Sequence, residues 1–165
     1  MVFLKYYCCM KRITLLLFIF VCTQVVLKAQ TQEELITQVI DRFFVSMAER
    51  DSVTAVELLT PDGQYYGTHR NGEKLEVFRV THESYLSRLS KRKENVIERY
   101  WNPTIHVQGP IAQVWTEYDF YINGVFSHCG IDAFTLIQVD GKWKICGVVF
   151  SMETEGCPES PLGKP

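Results

Sequence analysis

Residues 111–152 read IAQVWTEYDFYINGVFSHCGIDAFTLIQVDGKWKICGVVFSM, one apolar-polar stretch broken only by Asn123-Gly124 and Asp140-Gly141. Such dipeptides favour the primed two-residue turns whose twist matches the strands they join. Three long antiparallel strands are expected, over Ile111–Ile122, Val125–Val139 and Lys142–Met152. Side chains alternate between faces along a strand. In the first strand Ala112, Val114, Thr116, Tyr118 and Phe120 form the better core face, with Gln113, Trp115, Glu117, Asp119 and Tyr121 opposite. In the second, His128, Gly130, Asp132, Phe134 and Leu136 oppose Cys129, Ile131, Ala133, Thr135 and Ile137, and both faces are partly apolar. The third groups Trp143, Ile145, Gly147 and Val149 against Cys146, Val148 and Phe150.

The first half of the chain has a different period. Leu35, Ile36, Val39, Ile40, Phe43, Phe44 and Met47 recur every three or four residues within Glu33–Arg50, which predicts a helix with one buried face. Thr31 followed by Glu34 resembles a capping box at its start. Asp51 or Ser52 caps a short second helix with Val53, Val56, Leu58 and Leu59, ended by Pro61-Asp62-Gly63. Gln64–His69 and Glu73–Arg79 read as a hairpin around Asn71-Gly72, with Tyr65, Leu75 and Phe78 inward. A third helix fits Thr81–Ser90, with Tyr85, Leu86 and Leu89 as its stripe; the basic run Arg88–Lys93 reads as its solvated end. Glu94–Trp101 and Thr104–Gln108 read as strand material broken by Asn102-Pro103. Helices gathered early and a meander gathered late indicate an α+β fold rather than alternating βαβ units.

Residues 1–29 stand apart. Lys11 and Arg12 precede an apolar run from Ile13 to Cys22, and Ala29 precedes polar Gln30, which together read as a signal peptide cleaved after Ala29. Export to the periplasm or the extracellular space is the corresponding expected localisation. The organisation is then a signal peptide over 1–29, an α+β domain over 30–154 and a C-terminal tail over 155–165, mobile over Pro158–Pro165. Processing leaves nineteen acidic residues against thirteen basic ones, a charge near -6, which argues against nucleic acid as a partner. No membrane association is expected after processing. Cys129, Cys146 and Cys157 remain, and export permits Cys157 to pair with Cys129 or Cys146. No spacing supplies a metal-ligand pair, and no glycine pattern supplies a dinucleotide or phosphate loop, so neither metal nor cofactor is expected.

Several motifs carry a family resemblance. Phe43-Phe44, the Asp51–Leu59 helix with Pro61-Asp62-Gly63 after it, Ala112-x-Val114, Tyr118-x-Phe120, Gly130-x-Asp132-x-Phe134-x-Leu136 and Asp140-Gly141-Lys142-Trp143-Lys144-Ile145 resemble the exported nuclear transport factor 2-like, or SnoaL-like, proteins and their lumazine-binding-type group. The resemblance covers roughly residues 33–152. It implies a cystatin-like cone, a curved mixed β-sheet wrapped around three N-terminal helices, with a pocket at the wide end and homodimers formed through the sheet. That superfamily holds isomerases, dehydratases, cyclases and hydrolases beside members with no catalytic role, so the fold alone carries little about function.

Within such a pocket the chemistry-bearing candidates are His128, Asp132 and Tyr118. A histidine exchanges protons near neutral pH, a carboxylate in apolar surroundings becomes a base, and a tyrosine hydroxyl donates to a developing oxyanion. His128 and Asp132 lie four residues apart on one strand, about 13 Å, so a substrate spanning them is easier to justify than direct contact. Tyr100, Trp101, Glu98 and Phe134 are the expected ligand-binding residues, with His106 a weaker contributor. Ser127 should point to the sheet face opposite His128, and Trp115 with Tyr121 suits association of two copies. The leading reading is an exported protein that binds an apolar or aromatic small molecule. A cofactor-independent acid/base enzyme and a dimeric interaction module are the alternatives.

Overall fold

The helical period of the first half is realised in a computed structural model that describes residues 30–72 and 74–165. Helix α1 spans Gln32–Glu49 and buries Ile36, Ile40, Phe43, Phe44 and Met47. Its start is closed by the expected capping box: the Thr31 hydroxyl accepts from the Glu34 amide at 3.1 Å, and the Glu34 carboxylate accepts from the Thr31 amide at 2.9 Å. Arg50 ends the helix in the left-handed region and donates to the carbonyls of Lys93 and Glu94, tying α1 to the segment that enters the sheet. Helix α2, Ser52–Leu58, is capped by Asp51, and α3, His82–Leu89, by Thr81. The expected signal segment, 1–29, lies outside the described residues.

The sheet has six strands: β1 Leu59–Asn71, β2 Lys74–Thr81, β3 Val96–Gln108, β4 Ile111–Ile122, β5 Val125–Val139 and β6 Lys142–Met152. It is open and mixed, in the order β2-β1-β6-β5-β4-β3, with β1 and β6 parallel and every other pair antiparallel. Both predicted tight turns are present, with φ of 51° and 78° at Asn123-Gly124 and 51° and 74° at Asp140-Gly141, the double positive φ of a type I′ turn. The curved sheet closes over the apolar stripe of α1, where Val114, Phe134, Leu136, Trp143 and Ile145 complete the core.

Three register shifts along β3–β6 correct the simple alternation. Between Trp101 and Thr104 the β3 ladder skips, with Asn102 at φ 51°, so the two predicted strands are one bulged strand. Between β4 and β5 the pairing jumps from Phe120↔His128 to Tyr121↔Phe126, which leaves Ser127 as an extra residue. Between β5 and β6 it jumps from Thr135↔Gly147 to Leu136↔Ile145, which leaves Cys146 unpaired. Trp143 and Ile145 are buried, but beyond this bulge Val148 is the buried residue and Val149 is 53% exposed. The expected grouping of Val149 with Trp143 fails for that reason. Two other expectations also fail. Leu75 and Phe78 are an odd number of residues apart on β2 and cannot share a face, and Leu75 is exposed. Leu59 opens β1 instead of extending α2, because β6 takes it into a parallel pair with Ile145.

The C-terminal segment is held at two points, contrary to the expected mobile tail. Cys157 is joined to Cys129, leaving Cys146 a free thiol, and the Arg99 guanidinium donates to the Gly163 carbonyl at 2.8 Å. Arg99, Asp119 and Cys129 are successive cross-strand partners on the face away from α1. Asp119 is buried there and accepts two hydrogen bonds from Arg99, at 2.9 and 2.5 Å.

The end of β6 lies close over Gly130. Cys129 and Glu153 exchange backbone hydrogen bonds of 2.9 and 2.8 Å, the Ile131 amide donates to the Ser151 hydroxyl, and a Cβ on Gly130 would stand 2.0 Å from the Ser151 carbonyl oxygen. Gly130→Ala should therefore destabilise the fold by about 3 kcal/mol, as backbone must move to admit the methyl group. Cys157→Ser opens a 28-residue loop and should also cost about 3 kcal/mol. Urea unfolding of the oxidised proteins checks both; a change within about 0.5 kcal/mol for either would contradict its assignment.

Candidate functional site

The helices do not fill the wide end of the curved sheet. A cavity of about 410 Å³ remains, walled by Phe43 and Met47 of α1, Tyr65 of β1, Tyr85 of α3, and Phe120, Phe134, Val148 and Phe150 of the sheet. The aromatic walls support one another: Phe134 meets Phe43 and Phe44 edge-on at 6.0 and 5.9 Å, and Tyr65 lies 5.1 Å from Tyr85 between ring centres. Val80 of β2, Arg88 near the end of α3, Arg92 just beyond it, and Ile122, Ser127 and Met152 from the ends of β4 and β6 and the start of β5 add to the lining.

Set into this apolar wall are two carboxyl groups. Glu98 of β3 and Asp132 of β5 reach toward each other across β4, and Asp132 is only 3% exposed with its Oδ2 lacking any hydrogen-bond partner among the described residues. Burial raises both carboxyls above their ordinary range, and the neighbouring Asp132 charge raises Glu98 further. Two ionised carboxylates are acceptors only, so a hydrogen bond between them requires a proton on one. Burial and mutual repulsion oppose ionising both at once, so the pair titrates as a unit. Around it the Tyr65 and Tyr85 hydroxyls are buried without partners, and burial raises both phenols, which keeps them as neutral donors.

His128 stacks on Phe120 at 4.8 Å and meets Tyr118 edge-on at 5.7 Å. Burial, with nearby His69 as a lesser cause, lowers it to about 4, so its imidazole is neutral at neutral pH. Its Nδ1 lies 3.0 Å from the Ser127 hydroxyl. Simple alternation puts Ser127 on the opposite face; the β5 bulge turns it toward the cavity instead. Tyr118 is fully buried and its hydroxyl donates to the Ser151 carbonyl at 2.7 Å, so that proton is already committed.

Of the residues singled out from sequence, His128, Asp132, Tyr118, Glu98 and Phe134 line one cavity. Asp132 finds Glu98, rather than His128, as its direct neighbour. Tyr100 and Trp101 are corrections. The Tyr100 ring stacks on Phe44 and its hydroxyl donates to Asp41 at 2.6 Å, which fastens β3 to α1 away from the cavity lining. Trp101 is buried beside the β3 bulge, where its carbonyl accepts from Thr116, and it also lies outside the lining. His106 is exposed. The site residues missing from the sequence reading are Tyr65, Tyr85, Arg88, Arg92 and Ser127. Tyr85 and Arg88 are three positions apart on α3, a helical spacing that offered a signal for a shared face, whereas Arg92 lies beyond the helix end. No group of three or more metal-ligating side chains occurs among the described residues.

An open curved mixed sheet, three helices and a cavity at the wide end define the nuclear transport factor 2-like class with its cystatin-like fold. Within that class the chain belongs to the family described as "Putative lumazine-binding", whose model matches residues 31–151. Similar solved structures include a nuclear transport factor 2-like protein from Cytophaga hutchinsonii, with TM-score 0.62, 16% identity, and coverage of 75% of this chain and 100% of that one. A cystatin-like protein of unknown function from Nostoc punctiforme has TM-score 0.59 and 13% identity, covering 80% of this chain and 97% of that one. A third, from Novosphingobium aromaticivorans and described as a "Putative Scytalone Dehydratase", has TM-score 0.60 and 15% identity, covering 74% and 85%. At these identities the likeness shows the fold alone. No functionally curated protein matches the sequence.

The carboxyl pair makes a signed prediction about pH. Carboxyls with raised folded values bind protons on folding, so their unfavourable contribution appears as pH rises above the ordinary carboxyl range and is complete above the folded value. Asp132→Asn should raise the melting temperature at pH 8, and the gain should shrink toward zero near pH 4. The histidine held neutral acts in the opposite sense, losing stability as pH falls from its ordinary range toward about 4, and is common to both proteins. Calorimetry across that range is the check; an equal gain at both ends would exclude a raised Asp132 carboxyl.

Proposed function

We propose that this protein binds a small, largely apolar or aromatic molecule in the cavity around Glu98 and Asp132. The observation that carries the reading is a cavity of about 410 Å³ lined by residues with buried, unpartnered polar atoms: the Tyr65 and Tyr85 hydroxyls and Asp132 Oδ2, none with a hydrogen-bond partner among the described residues. A buried polar atom left unpaired costs about 1–3 kcal/mol, so each is a standing incentive for a ligand that supplies the missing hydrogen bond. The cavity falls within the usual size range of small-molecule sites and shares their composition, apolar walls with few polar groups. The family description and the dehydratase-described neighbour support a ligand-binding reading.

Export supports the same reading as part of the proposal. The basic and apolar run before Ala29 has the form of a signal peptide, and a Cys129–Cys157 disulfide is the kind of bond that persists in oxidising compartments. Homodimer formation belongs here too, motivated by the row Trp115, Ala133, Val149 and Tyr66 across four adjacent strands, of which Trp115 is 57% exposed.

The enzymatic alternative rests on one specific observation, two buried carboxyls, Glu98 and Asp132, in the wall of one cavity, both raised by burial. A carboxyl held near the neutral range is a competent general acid or base. In that reading Asp132, paired with Glu98, moves the proton. His128 at about 4 is too weak a base to lead, and the Tyr118 proton is engaged by Ser151.

A thermal-shift screen of aromatic and alicyclic compounds tests binding. A true ligand at a hundred times its Kd should add about 2.7 kcal/mol of stability. The same ligand should lose affinity about tenfold with Tyr65→Phe or Asp132→Asn, the effect of one buried hydrogen bond. Hits that are indifferent to both substitutions would place binding elsewhere and defeat the proposal.

A further inference from the structure

The cavity has opposite electrostatic character at its two ends. Within the wall lie the acidic Glu98 and Asp132 side chains, beside the Tyr65 and Tyr85 phenols. At the mouth, Arg88 and Arg92 both line the cavity, and neither has a carboxylate within ion-pairing distance among the described residues. Their hydrogen bonds go to backbone carbonyls: Arg88 Nε donates to Ser84, and Arg92 donates to Glu94 through Nε and to Met47 through Nη2. Carbonyls orient a guanidinium without neutralising it. Burial even lowers Arg92, the cost of holding a cation against an apolar wall. The unpartnered Tyr85 hydroxyl lies in the same wall, close enough to Arg92 for each to influence the other's ionisation. Two guanidinia without an ion pair at one cavity mouth, where Glu94 acts on Arg92 and Arg50 adds a further positive charge, form a local anion site with a neutral hydroxyl donor beside them.

We infer that the ligand of this cavity is an amphipathic organic anion, its carboxylate, sulfonate or phosphate held at the mouth by Arg88 and Arg92 and its apolar body in the aromatic chamber. The inference rests on the small-molecule reading above and sets the direction of binding. The inner carboxyl pair repels an anionic group and accepts from a hydroxyl or N–H, so the charged end stays outward and any donor end points inward. Neutral molecules of the same shape lose the guanidinium contacts, and cations face the two arginines on entry.

A matched pair of fluorophores separates charge from shape: 1-anilinonaphthalene-8-sulfonate and N-phenyl-1-naphthylamine, the same aromatic skeleton with and without a sulfonate. Titrated into the native, disulfide-bonded protein, the sulfonate should bind at one equivalent and about tenfold tighter than the neutral amine, the effect of a charge-assisted hydrogen bond. Raising the ionic strength should narrow the difference. In the Arg88→Gln/Arg92→Gln double variant the two affinities should converge while that of the neutral amine is retained. Lys142→Gln/Lys164→Gln, which removes the same two charges from residues outside the cavity lining, should leave the preference intact. Equal affinities in the native protein, or a preference that survives the double variant, would overturn the anion assignment while leaving the small-molecule reading in place. Uptake of neither fluorophore would count against both. Should the double variant fail to fold, the native protein's affinity ratio and its salt dependence still decide the matter.

Discussion

The sheet must bend to reach around α1, and its bulges decide where the inside stops being packed. A strand that alternates without interruption presents one face throughout; each extra residue re-aims the side chains beyond it and sharpens the twist. At Asn102 the bulge bends β3 back toward the core, at Cys146 it hands the inner face of β6 from Ile145 to Val148, and at Ser127 it turns a hydroxyl toward His128. Toward the narrow end the inner face is Ala112, Val114, Leu136 and Ile145, which α1 covers completely. Toward the wide end the same parity carries Glu98, Tyr118, His128 and Asp132, and the helices withdraw. The cavity is thus the place where core-facing positions change from aliphatic to polar.

That change has a cost which packing alone does not explain. Removing two carboxyl groups from water is expensive even when one is protonated, and a hydrophobic replacement of similar shape is commonly the more stable choice. A protein selected only for stability would put leucine or methionine at 98 and 132. Two tyrosine hydroxyls left unpaired beside them increase the cost. Local choices that conflict with the global fold tend to collect at functional sites, and here they collect in one chamber contributed by residues from β1, α3, β3 and β5.

Legibility followed sequence distance. The tight turns at Asn123-Gly124 and Asp140-Gly141, the capping box at Thr31 and the inner face of β4 are local, so propensity and period sufficed to place them. Inner parity on β5 then put His128, Asp132 and Phe134 on the cavity side, and parity along β3 brought in Glu98. The residues that escaped depended on partners distant in the chain. The parallel pairing of β1 with β6 joins Tyr65 to Val148 across more than eighty residues, so nothing near Tyr65 marked it as a chamber residue. Bulges hide for the same reason: Ser127 and Cys146 look like ordinary members of an alternating pattern until the register of the next strand is known. Arg88 and Arg92 read as a solvated helix end because a guanidinium is ordinarily exposed, and only the packing of α3 against β1 and β2 sets them beside the cavity.

The choice among chemistries turns on which protons remain free to move. A His–Asp–Tyr mechanism needs an imidazole that accepts a proton near neutrality and a phenol that can donate to substrate. Burial against Phe120 removes the first property from His128, and the Ser151 carbonyl takes up the second in Tyr118. Gly130 is central to that arrangement, since only a residue without Cβ lets the Ser151 carbonyl come close enough to receive the hydroxyl. Tyr118 then serves to fasten β4 to the end of β6, and that strand end is itself held by the Cys129–Glu153 pairing and, a few residues on, by the Cys157 disulfide. With His128 and Tyr118 assigned to shape, the groups left to exchange a proton are the Glu98 and Asp132 carboxyls, both raised by burial. A protonated carboxyl beside an ionised one in an apolar chamber is first a recognition element, because the pair can both donate and accept toward whatever enters. Catalysis would require in addition a ligand whose acidic or leaving group comes to rest against that pair.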